Sequence, residues 1–294
     1  MKPKFQIPTF LLILMLSVFT IVFIVPMIWG VLISFTDWNG LSKEYNIIGI
    51  DNYVKMFQDT RFLDSLEVTI RYMLILLSCT LVLGYLNAKA IQKLRRFKSG
   101  ALFVSFFPYV ITPVVACILW NQLYIGFVPE IGEFLGIEIL QTNLLSNQET
   151  ALLAVAFVDL WILVPYATLL FSSSLNSIPL EIIEYAQVEG ASSLQIAWRI
   201  ESPYIYSTVG MLTTIITSYA FTHIDTLMTL TSGGPGRVTE TLYYTIYKNS
   251  TLEQKYAYGL AEGLVVAVFS IFVFLIVNKF TNGKHLDVIT TDAE

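Results

Sequence analysis

The sequence predicts an all-helical integral membrane protein with six membrane-spanning helices. Three observations support this fold class. The 294-residue chain is 55% hydrophobic and only 13% charged, whereas a typical soluble domain is about 45–50% apolar and about 25% charged. Its apolar residues form runs of the length that a helix needs to cross a bilayer, about 20 residues. Its basic residues are grouped between alternate runs, as expected when one face of the protein lies in the cytoplasm.

The apolar runs define six predicted spans. The first run is too long for a cleaved signal peptide, so we interpret it as a span. Polar stretches follow the first span (residues 36–64) and the third (residues 126–149). The predicted spans are residues 10–35, 66–91, 101–124, 150–175, 204–230 and 256–280.

The basic residues predict the orientation of these spans. With six spans, the basic groups before span one, between spans two and three and after span six share one side, which the positive-inside rule makes cytoplasmic. The stretch 126–149 contains glutamates but no Lys or Arg, as expected outside. Both termini and the connection between spans four and five are therefore expected in the cytoplasm. The basic residues are Lys2, Lys4, Lys89, Lys93, Arg95, Arg96, Lys98, Lys279 and Lys284.

The connection between spans four and five begins with the signals of a short helix. Pro179 suits the first turn of a helix, where its missing N–H would have no partner. Glu181 and Glu184 place negative charge near the positive end of the helix dipole. Gly190 predicts the end of this helix, since glycine adopts the left-handed conformation at low cost.

A second short helix is predicted directly after Gly190. Ser192 and Gln195 have the spacing of a capping box. Pro203 is predicted to end this helix and to open the next apolar run. We call residues 177–203 the elbow. Two well-specified helices around a sharp bend indicate a surface that another protein contacts; the alternative is a plain amphipathic connection between two spans.

The elbow resembles the EAA signature of ABC-importer permeases, roughly E-A-A-x-x-D-G-A followed by I-x-L-P. The matching residues are Glu184, Ala186, Glu189, Gly190, Ala191, Ile200 and Pro203. Tyr185 replaces the second-position alanine, Glu189 the aspartate, and Ser202 the leucine before proline. In that family the loop docks on the cytoplasmic ATPase. The resemblance thus implies a set of ATPase-coupling residues, namely Glu184, Tyr185, Ala186, Glu189, Gly190 and Ala191.

Further stretches resemble the six-span permeases for sugars and related solutes. Residues 49–53 look like the G-x-x-N-Y before their second span, and residues 230–235 are similar to their L-T-x-G-G-P after the fifth. Taken alone, Gly-Gly-Pro is also a common turn signal. The resemblance covers residues 47–280. Its other matching residues are Phe107, Pro108, Tyr109, Pro113, Trp120, Trp161, Thr239, Tyr247, Gly259 and Ala261.

This resemblance implies the transmembrane domain of a type I ABC importer, which forms half of the pore for a sugar or oligosaccharide. The implied partners are a second homologous permease, two cytoplasmic ATP-binding subunits and an extracytoplasmic solute-binding protein, in the cell membrane of a bacterium. The chain would be a transport subunit and not an enzyme, with ATP hydrolysed by a separate chain. The expected domains are residues 1–65 (first span and external segment), 66–280 (permease core) and 281–294 (cytoplasmic tail).

Polar side chains inside the spans predict a substrate path. Ionisable groups in hydrocarbon are costly and normally face a cavity or a partner. Aromatic rings can stack on a sugar while hydroxyl, imidazole and carboxylate groups bond to its hydroxyls. We therefore expect Asp159, Trp161, Tyr219, Thr222 and His223 to line the path. An interface with the second permease, or a position near the membrane surface, is the alternative.

Several function classes lack their motifs in this sequence. It has no G-x-x-x-x-G-K-[ST] phosphate loop, and no metal-ligand or nucleophile–His–acid grouping. We therefore expect no catalytic residue, no metal, no cofactor and no nucleic-acid partner. Cys79 and Cys117 lie in apolar runs, where cysteine behaves as a small hydrophobe. Two alternatives stay open: an ion-coupled secondary transporter, and a membrane assembly or sensor protein that uses the elbow only to hold a partner.

Overall fold

The structure is a computed structural model that describes residues 9–94 and 96–291. Lys2, Lys4 and Arg95, which contribute to the predicted orientation, lie outside these residues, as do residues 292–294 of the predicted tail. The described part is almost entirely helical and contains no β-strand, only an isolated bridge between Thr36 and Ile47. The predicted all-α class is therefore confirmed.

Helices α1 to α14 follow one another along the chain, and several are joined through π-helical or 3₁₀ turns. The helices are α1 (Thr9–Phe19), α2 (Val25–Ile33), α3 (Asp51–Gln58), α4 (Thr60–Gln92), α5 (Lys98–Val110), α6 (Pro113–Gln122), α7 (Val128–Leu135), α8 (Ala151–Asn176), α9 (Leu180–Val188), α10 (Ser193–Ile196), α11 (Ser202–Thr222), α12 (Asp225–Leu230), α13 (Leu242–Tyr247) and α14 (Tyr256–Thr291). The π-helical turns are Thr20–Ile24, Leu123–Phe127, Ala197–Glu201 and Lys248–Leu252, and the 3₁₀ turns are Glu138–Leu140 and Leu144–Ser146.

The chain forms two compact units. The first holds the described residues up to Leu63 together with Thr245–Ala267. In it, the segment after α2 is tied to α3 and to the start of α14. The Ala257 N–H donates to the Trp38 carbonyl at 2.9 Å, and Asn52 Nδ2 donates to the carbonyls of Ser34 and Thr36 at 2.8 Å each.

Two glutamates of the first unit, Glu253 and Glu262, accept hydrogen bonds from side chains of the same unit. Glu253 accepts hydrogen bonds from Lys255 Nζ at 2.8 Å and from Arg61 Nη1 at 2.5 Å. These two bonds lower the pKa of Glu253. The buried Glu262 accepts two bonds from Asn249 Nδ2, both at 2.9 Å. Since buried polar groups cost free energy when unsatisfied, this pairing stabilises the first turns of α14.

The second unit holds Asp64–Tyr244 and the described residues from Val268 onward. Its core is α8, which is apolar around most of its circumference and packs against α5, α6, α11 and α12. A Cβ added at Gly84 in α4 would lie 2.7 Å from the Ala167 Cβ in α8. Gly84 thus permits a close helix–helix approach, as small residues do in membrane bundles.

Among the residues that the structure describes, five helical stretches are long and apolar enough to cross a bilayer, namely Leu11–Ile33, Thr60–Gln92, Pro113–Leu135, Ala151–Asn176 and Tyr256–Val277. The predicted fifth span corresponds to α11, which has 21 residues but many Ser and Thr residues. Its length suits a crossing, since about 20 residues are needed. The predicted total of six spans is reached when α11 is counted.

The predicted third span, residues 101–124, is not one continuous helix. Helix α5 ends at Val110. The next two residues, Ile111 and Thr112, have an extended backbone, and α6 begins at Pro113. The cause is local, because a residue before proline is kept out of the α region. The helical stretch from Pro113 then continues to Leu135, so it takes up part of the stretch that the sequence predicted as an outer connection.

The predicted fifth span, residues 204–230, is also interrupted. Helix α11 ends at Thr222, and His223 adopts an extended backbone. A separate short helix, α12, begins at Asp225 and packs against α6 and α8. The sequence predicted a single span here because both helices contain many apolar residues and hydropathy does not detect the break between them.

Three of the four π-helical turns in the described part of the chain end two residues before a proline: Pro26, Pro129 and Pro203. Proline lacks an N–H, and its ring clashes with the carbonyl four residues earlier. A π-helical turn moves the hydrogen bonding to the carbonyl five residues earlier, as in the bond from Ser202 N–H to the Ala197 carbonyl. The prediction that Pro203 ends the second elbow helix is therefore wrong: the helical run continues through this turn into α11.

Candidate functional site

The first half of the elbow has the predicted local structure. Helix α9 starts directly after Pro179. Gly190 has φ +82°, its N–H donates to the Gln187 carbonyl at 3.1 Å, and the Ala191 N–H donates to the Ala186 carbonyl at 2.9 Å. This pair of bonds is a Schellman motif, in which glycine supplies the left-handed residue. The bend at Gly190 is therefore well defined.

The second half begins with the predicted capping box. Ser192 Oγ accepts from the Gln195 N–H at 3.3 Å, and Gln195 Oε1 accepts from the Ser192 N–H at 2.7 Å. Each side chain satisfies a backbone donor that the start of a helix leaves without an intrahelical partner. The two short helices are thus capped on both sides of the bend, which restricts how the elbow can deform.

Large apolar side chains of the elbow are exposed. The exposed fractions are 69% for Tyr185, 85% for Val188, 78% for Leu194 and 80% for Trp198. We call these four residues the elbow patch. Exposed apolar clusters rimmed by polar groups are typical of surfaces that contact another protein. Of the coupling residues expected from the sequence, Glu184, Glu189 and Gly190 are also exposed, while Ala186 and Ala191 are half-buried.

A second group of polar residues converges on Asp159 in α8, which is fully buried. Asp159 Oδ1 accepts from Tyr219 Oη at 2.8 Å and from Thr226 Oγ1 at 2.7 Å, and Asp159 Oδ2 accepts from the Tyr72 hydroxyl. His223 Nε2 lies 2.9 Å from Thr226 Oγ1 and 3.8 Å from Asp159 Oδ1. We call these five residues the Asp159 cluster.

The five expected path residues do not form a single site. Asp159, Tyr219 and His223 come together, and the Tyr219 and His223 rings stack at 4.1 Å. Trp161 instead packs edge-on against Trp120 at 5.7 Å. Thr222 is exposed, and its hydroxyl donates to the Ser218 carbonyl at 2.8 Å.

The sequence did not identify two members of the Asp159 cluster, Tyr72 and Thr226. Tyr72 lies in α4 and Thr226 in α12, both far from Asp159 along the chain. Their polar ends meet Asp159 only because α4, α8 and α12 come together in the folded unit. A buried carboxylate does require donors, but the sequence does not indicate which hydroxyls supply them.

Comparison with known proteins identifies the family. No protein-family model matches the chain. It is 32% identical over 246 residues to the multiple sugar-binding transport system permease protein MsmF of Streptococcus mutans, covering 84% of this chain and 85% of MsmF. It is 30% identical over 294 residues to the diacetylchitobiose uptake system permease protein NgcF of Streptomyces coelicolor, covering 91% of this chain and 81% of NgcF. The chain belongs to the ABC-importer permeases of the sugar-uptake class.

The permease is therefore a multi-pass membrane transport component and not an enzyme. Its fold agrees with that of a bacterial ABC transporter involved in the import of the acidic polysaccharide alginate, with a TM-score of 0.79 at 20% identity over 92% of this chain and 93% of that one. A bacterial alginate ABC transporter in complex with an alginate pentasaccharide-bound periplasmic protein gives a TM-score of 0.76 at 18% identity, over 93% of each chain. These matches confirm the fold expected from the EAA-like elbow.

One face of α11 in the permease is both exposed and polar. Ser207, Ser218 and Thr222 are exposed on this face together with Met211. We call these residues the α11 stripe. By contrast, the exposed side chains of the first helix are almost all large and apolar, as at Ile13 (58%). Hydroxyls on a membrane helix favour contact with a partner helix or an aqueous path over contact with lipid.

Proposed function

We propose that the permease forms half of the translocation path for a sugar or oligosaccharide and is driven by a cytoplasmic ATPase that docks on the elbow. The observation that carries this proposal is the elbow patch, four large apolar side chains exposed on either side of a capped bend. The resemblance of the elbow to the EAA signature and the similarity of the chain to MsmF and NgcF support it.

Docking on the elbow uses both its apolar and its acidic side chains. Tyr185, Val188, Leu194 and Trp198 offer apolar area, and aromatic residues are enriched among the anchors of protein interfaces. Glu184 and Glu189 lie beside the patch and are exposed. Carboxylates at the rim of an interface set orientation and association rate more than affinity. The ATPase surface is therefore expected to combine an apolar cleft with basic groups around it.

The caps of the elbow make it suitable for transmitting motion. Because α9 and α10 are both capped and Gly190 has one defined conformation, a displacement of the elbow passes to α8 and α11 and is not absorbed by local bending. Closure of the ATPase dimer on ATP would pull the elbow and turn the path from inward-facing to outward-facing. Reciprocally, solute arriving from outside would change the affinity of the elbow for the ATPase.

The proposed assembly contains a second homologous permease, two ATP-binding subunits and an extracytoplasmic solute-binding protein. The alginate transporter that shares the fold was crystallised with such a periplasmic protein. We place both termini and the elbow in the cytoplasm, because the basic residues group on that side.

The α11 stripe and the Asp159 cluster have different roles in this proposal. The stripe, with Thr222 at its outer end, faces the path or the second permease. Tyr219 and His223, whose rings stack, lie beside Ser218 and Thr222 along the chain, and Trp161, packed against Trp120, supplies a further ring of the proposed path. Asp159 is enclosed by donors from its own chain, so it holds Tyr219 and Thr226 in place and thereby positions α11 and α12.

The elbow patch provides the first test. Val188→Asp and Trp198→Ala are expected to weaken binding of the ATPase about tenfold or more, since buried interface anchors contribute roughly 2 kcal/mol or more. The measurement is co-purification and titration of the ATPase against the permease pair in nanodiscs. Ile47→Asp is the matched control, because Ile47 is 83% exposed but lies in the predicted outer segment. Undiminished ATPase binding to both elbow variants would contradict the docking proposal.

The path residues provide the second test. Thr222→Val and His223→Ala are expected to raise the KM for sugar uptake about five- to tenfold, because each removes a hydrogen-bonding group worth roughly 1 kcal/mol. The measurement is the initial rate of uptake at limiting and saturating sugar. Thr20→Val is the matched control, since Thr20 makes the same bond to the carbonyl four residues earlier on the first helix. Wild-type uptake at limiting sugar would remove both residues from the path.

A further inference from the structure

A buried ion pair lies at the C-terminal end of the elbow, where it joins α11. Glu201 is the last residue of the π-helical turn before α11 and is only 1% exposed. Its Oε1 pairs with Lys89 Nζ near the end of α4, and its Oε2 accepts from Tyr85 Oη at 2.6 Å. One carboxylate of the elbow thus holds two side chains of α4.

The burial of Glu201 makes this pairing obligatory. Removing one partner of a buried ion pair leaves a buried charge without compensation, which is strongly destabilising. Lys89 is itself only partly exposed, and it lies one helical turn after Tyr85, so both reach the same carboxylate. The end of the elbow therefore cannot separate from α4 unless the Glu201 carboxylate becomes exposed to solvent or stays buried without its partners.

Other polar contacts tie the same inner ends together. Ser174 in α8 and Thr208 in α11 share a hydrogen bond of 2.5 Å. Asn87 Nδ2 in α4 donates to Ser105 Oγ at 2.8 Å and to Thr168 Oγ1 at 3.2 Å. Contacts of this kind link α4, α5, α8 and α11 at the level of the elbow. Bonds between helices within a bilayer contribute little singly but fix register together.

We propose that Glu201, held by Lys89 and Tyr85, makes the inner half of α4 move as one body with the elbow. Glu201 is then a positioning residue for transport: it contacts neither sugar nor nucleotide, and it extends the force on the elbow from its flanking helices α8 and α11 to α4. The inference rests on the proposed function, in which an ATPase displaces the elbow.

The test combines a distance and a coupling ratio. Spin labels at Ser193 in the elbow and Leu86 in α4, with Cys79 and Cys117 replaced by alanine, report whether the two elements move together. In the complete transporter the distance between the labels is expected to stay constant on adding ATP. In the Glu201→Gln variant the distribution of label-to-label distances is expected to broaden. The amount of sugar transported per ATP hydrolysed is expected to fall at least about fivefold, the low end of usual coupling effects.

Paired variants separate this role from general destabilisation. The exchange Lys89→Glu with Glu201→Lys is expected to restore the narrow distance and the coupling ratio. Glu67→Gln is the matched control, because Glu67 pairs with Arg71 on the same helix while both are largely exposed, and exposed pairs contribute little. Its coupling ratio is expected to equal the wild type.

The outcomes distinguish this inference from the proposed function. If the wild-type permease failed to bind the ATPase, docking on the elbow would be refuted. The distance between the labels in the permease without ATP would still test whether Glu201 links the elbow to α4. A Glu201→Gln variant with wild-type distance and coupling ratio would overturn the inference. The inference would also be overturned if the charge-exchange variant inserted into the membrane but kept a distance distribution as broad as that of Glu201→Gln.

Discussion

Gly190→Pro is expected to abolish ATP-driven sugar uptake while leaving membrane insertion intact. Gly190 has φ +82°, whereas proline is locked near −65°. Its N–H also donates to the Gln187 carbonyl, and proline has no N–H to replace this bond. The two short helices would therefore change their mutual angle, and the elbow patch would no longer present one surface. The measurements are membrane yield, ATPase co-purification and ATP-driven uptake in proteoliposomes.

Gly190→Ala and a glycine outside the elbow make this test specific. No atom lies within 4 Å of a Cβ added at Gly190, so alanine there meets only backbone strain, and a partial loss of uptake is expected. Gly136 has φ +67° and equally open surroundings, but it lies beyond α7 in the predicted outer segment. Gly136→Pro is expected to leave ATPase binding unchanged. Normal uptake by Gly190→Pro would count heavily against the coupling role of the elbow.

Asp159→Ala is expected to destabilise the permease strongly and to eliminate uptake. It would leave the hydroxyls of Tyr72, Tyr219 and Thr226 without their acceptor in a fully buried place. Interhelical bonds in bilayers average roughly 0.6 kcal/mol each and an unsatisfied buried group costs more, so the free energy of unfolding should fall by about 2 kcal/mol or more. Thermal unfolding of the detergent-solubilised protein measures this loss.

A graded series distinguishes a positioning role of Asp159 from direct contact with the sugar. Asp159→Asn keeps one acceptor oxygen, so its stability is expected to lie between wild type and Asp159→Ala. Asp225→Asn is the control, because Asp225 lies in the adjacent helix α12 but is exposed. If Asp159→Asn unfolded at the wild-type temperature yet showed a greatly raised KM, Asp159 would contact the sugar and the positioning role would be wrong.

The elbow could be predicted closely because its signals are local. A glycine at a helix end, a capping box two residues later and a proline at a helix start act over a few residues, and the structure confirms them at Gly190, Ser192 and Pro179. The effect of Pro203 was predicted incorrectly because a π-helical turn before it lets the helix continue. Residue pattern does not distinguish a proline that ends a helix from one that a π-helical turn accommodates.

The Asp159 cluster and the Glu201 ion pair could not be predicted in the same way. Asp159 was recognisable as a costly group within a span, but its partners Tyr72 and Thr226 lie 87 and 67 residues away along the chain. Glu201 is close to the elbow motif, and its partner Lys89 was recognised only as one of the basic residues from which the orientation was predicted. A single residue type carries no information on which distant side chain it will meet.

The sequence by itself determined the all-helical membrane class, the approximate positions of the spans and the bent shape of the elbow, since hydropathy and helix capping depend on neighbouring residues. Only the tertiary structure decided which hydroxyls surround Asp159, that Lys89 and Tyr85 hold Glu201, and which face of α11 remains exposed. These features depend on how α4, α8 and α11 pack against one another. Packing is a property of matched surfaces from distant parts of the chain, so no local pattern specifies it.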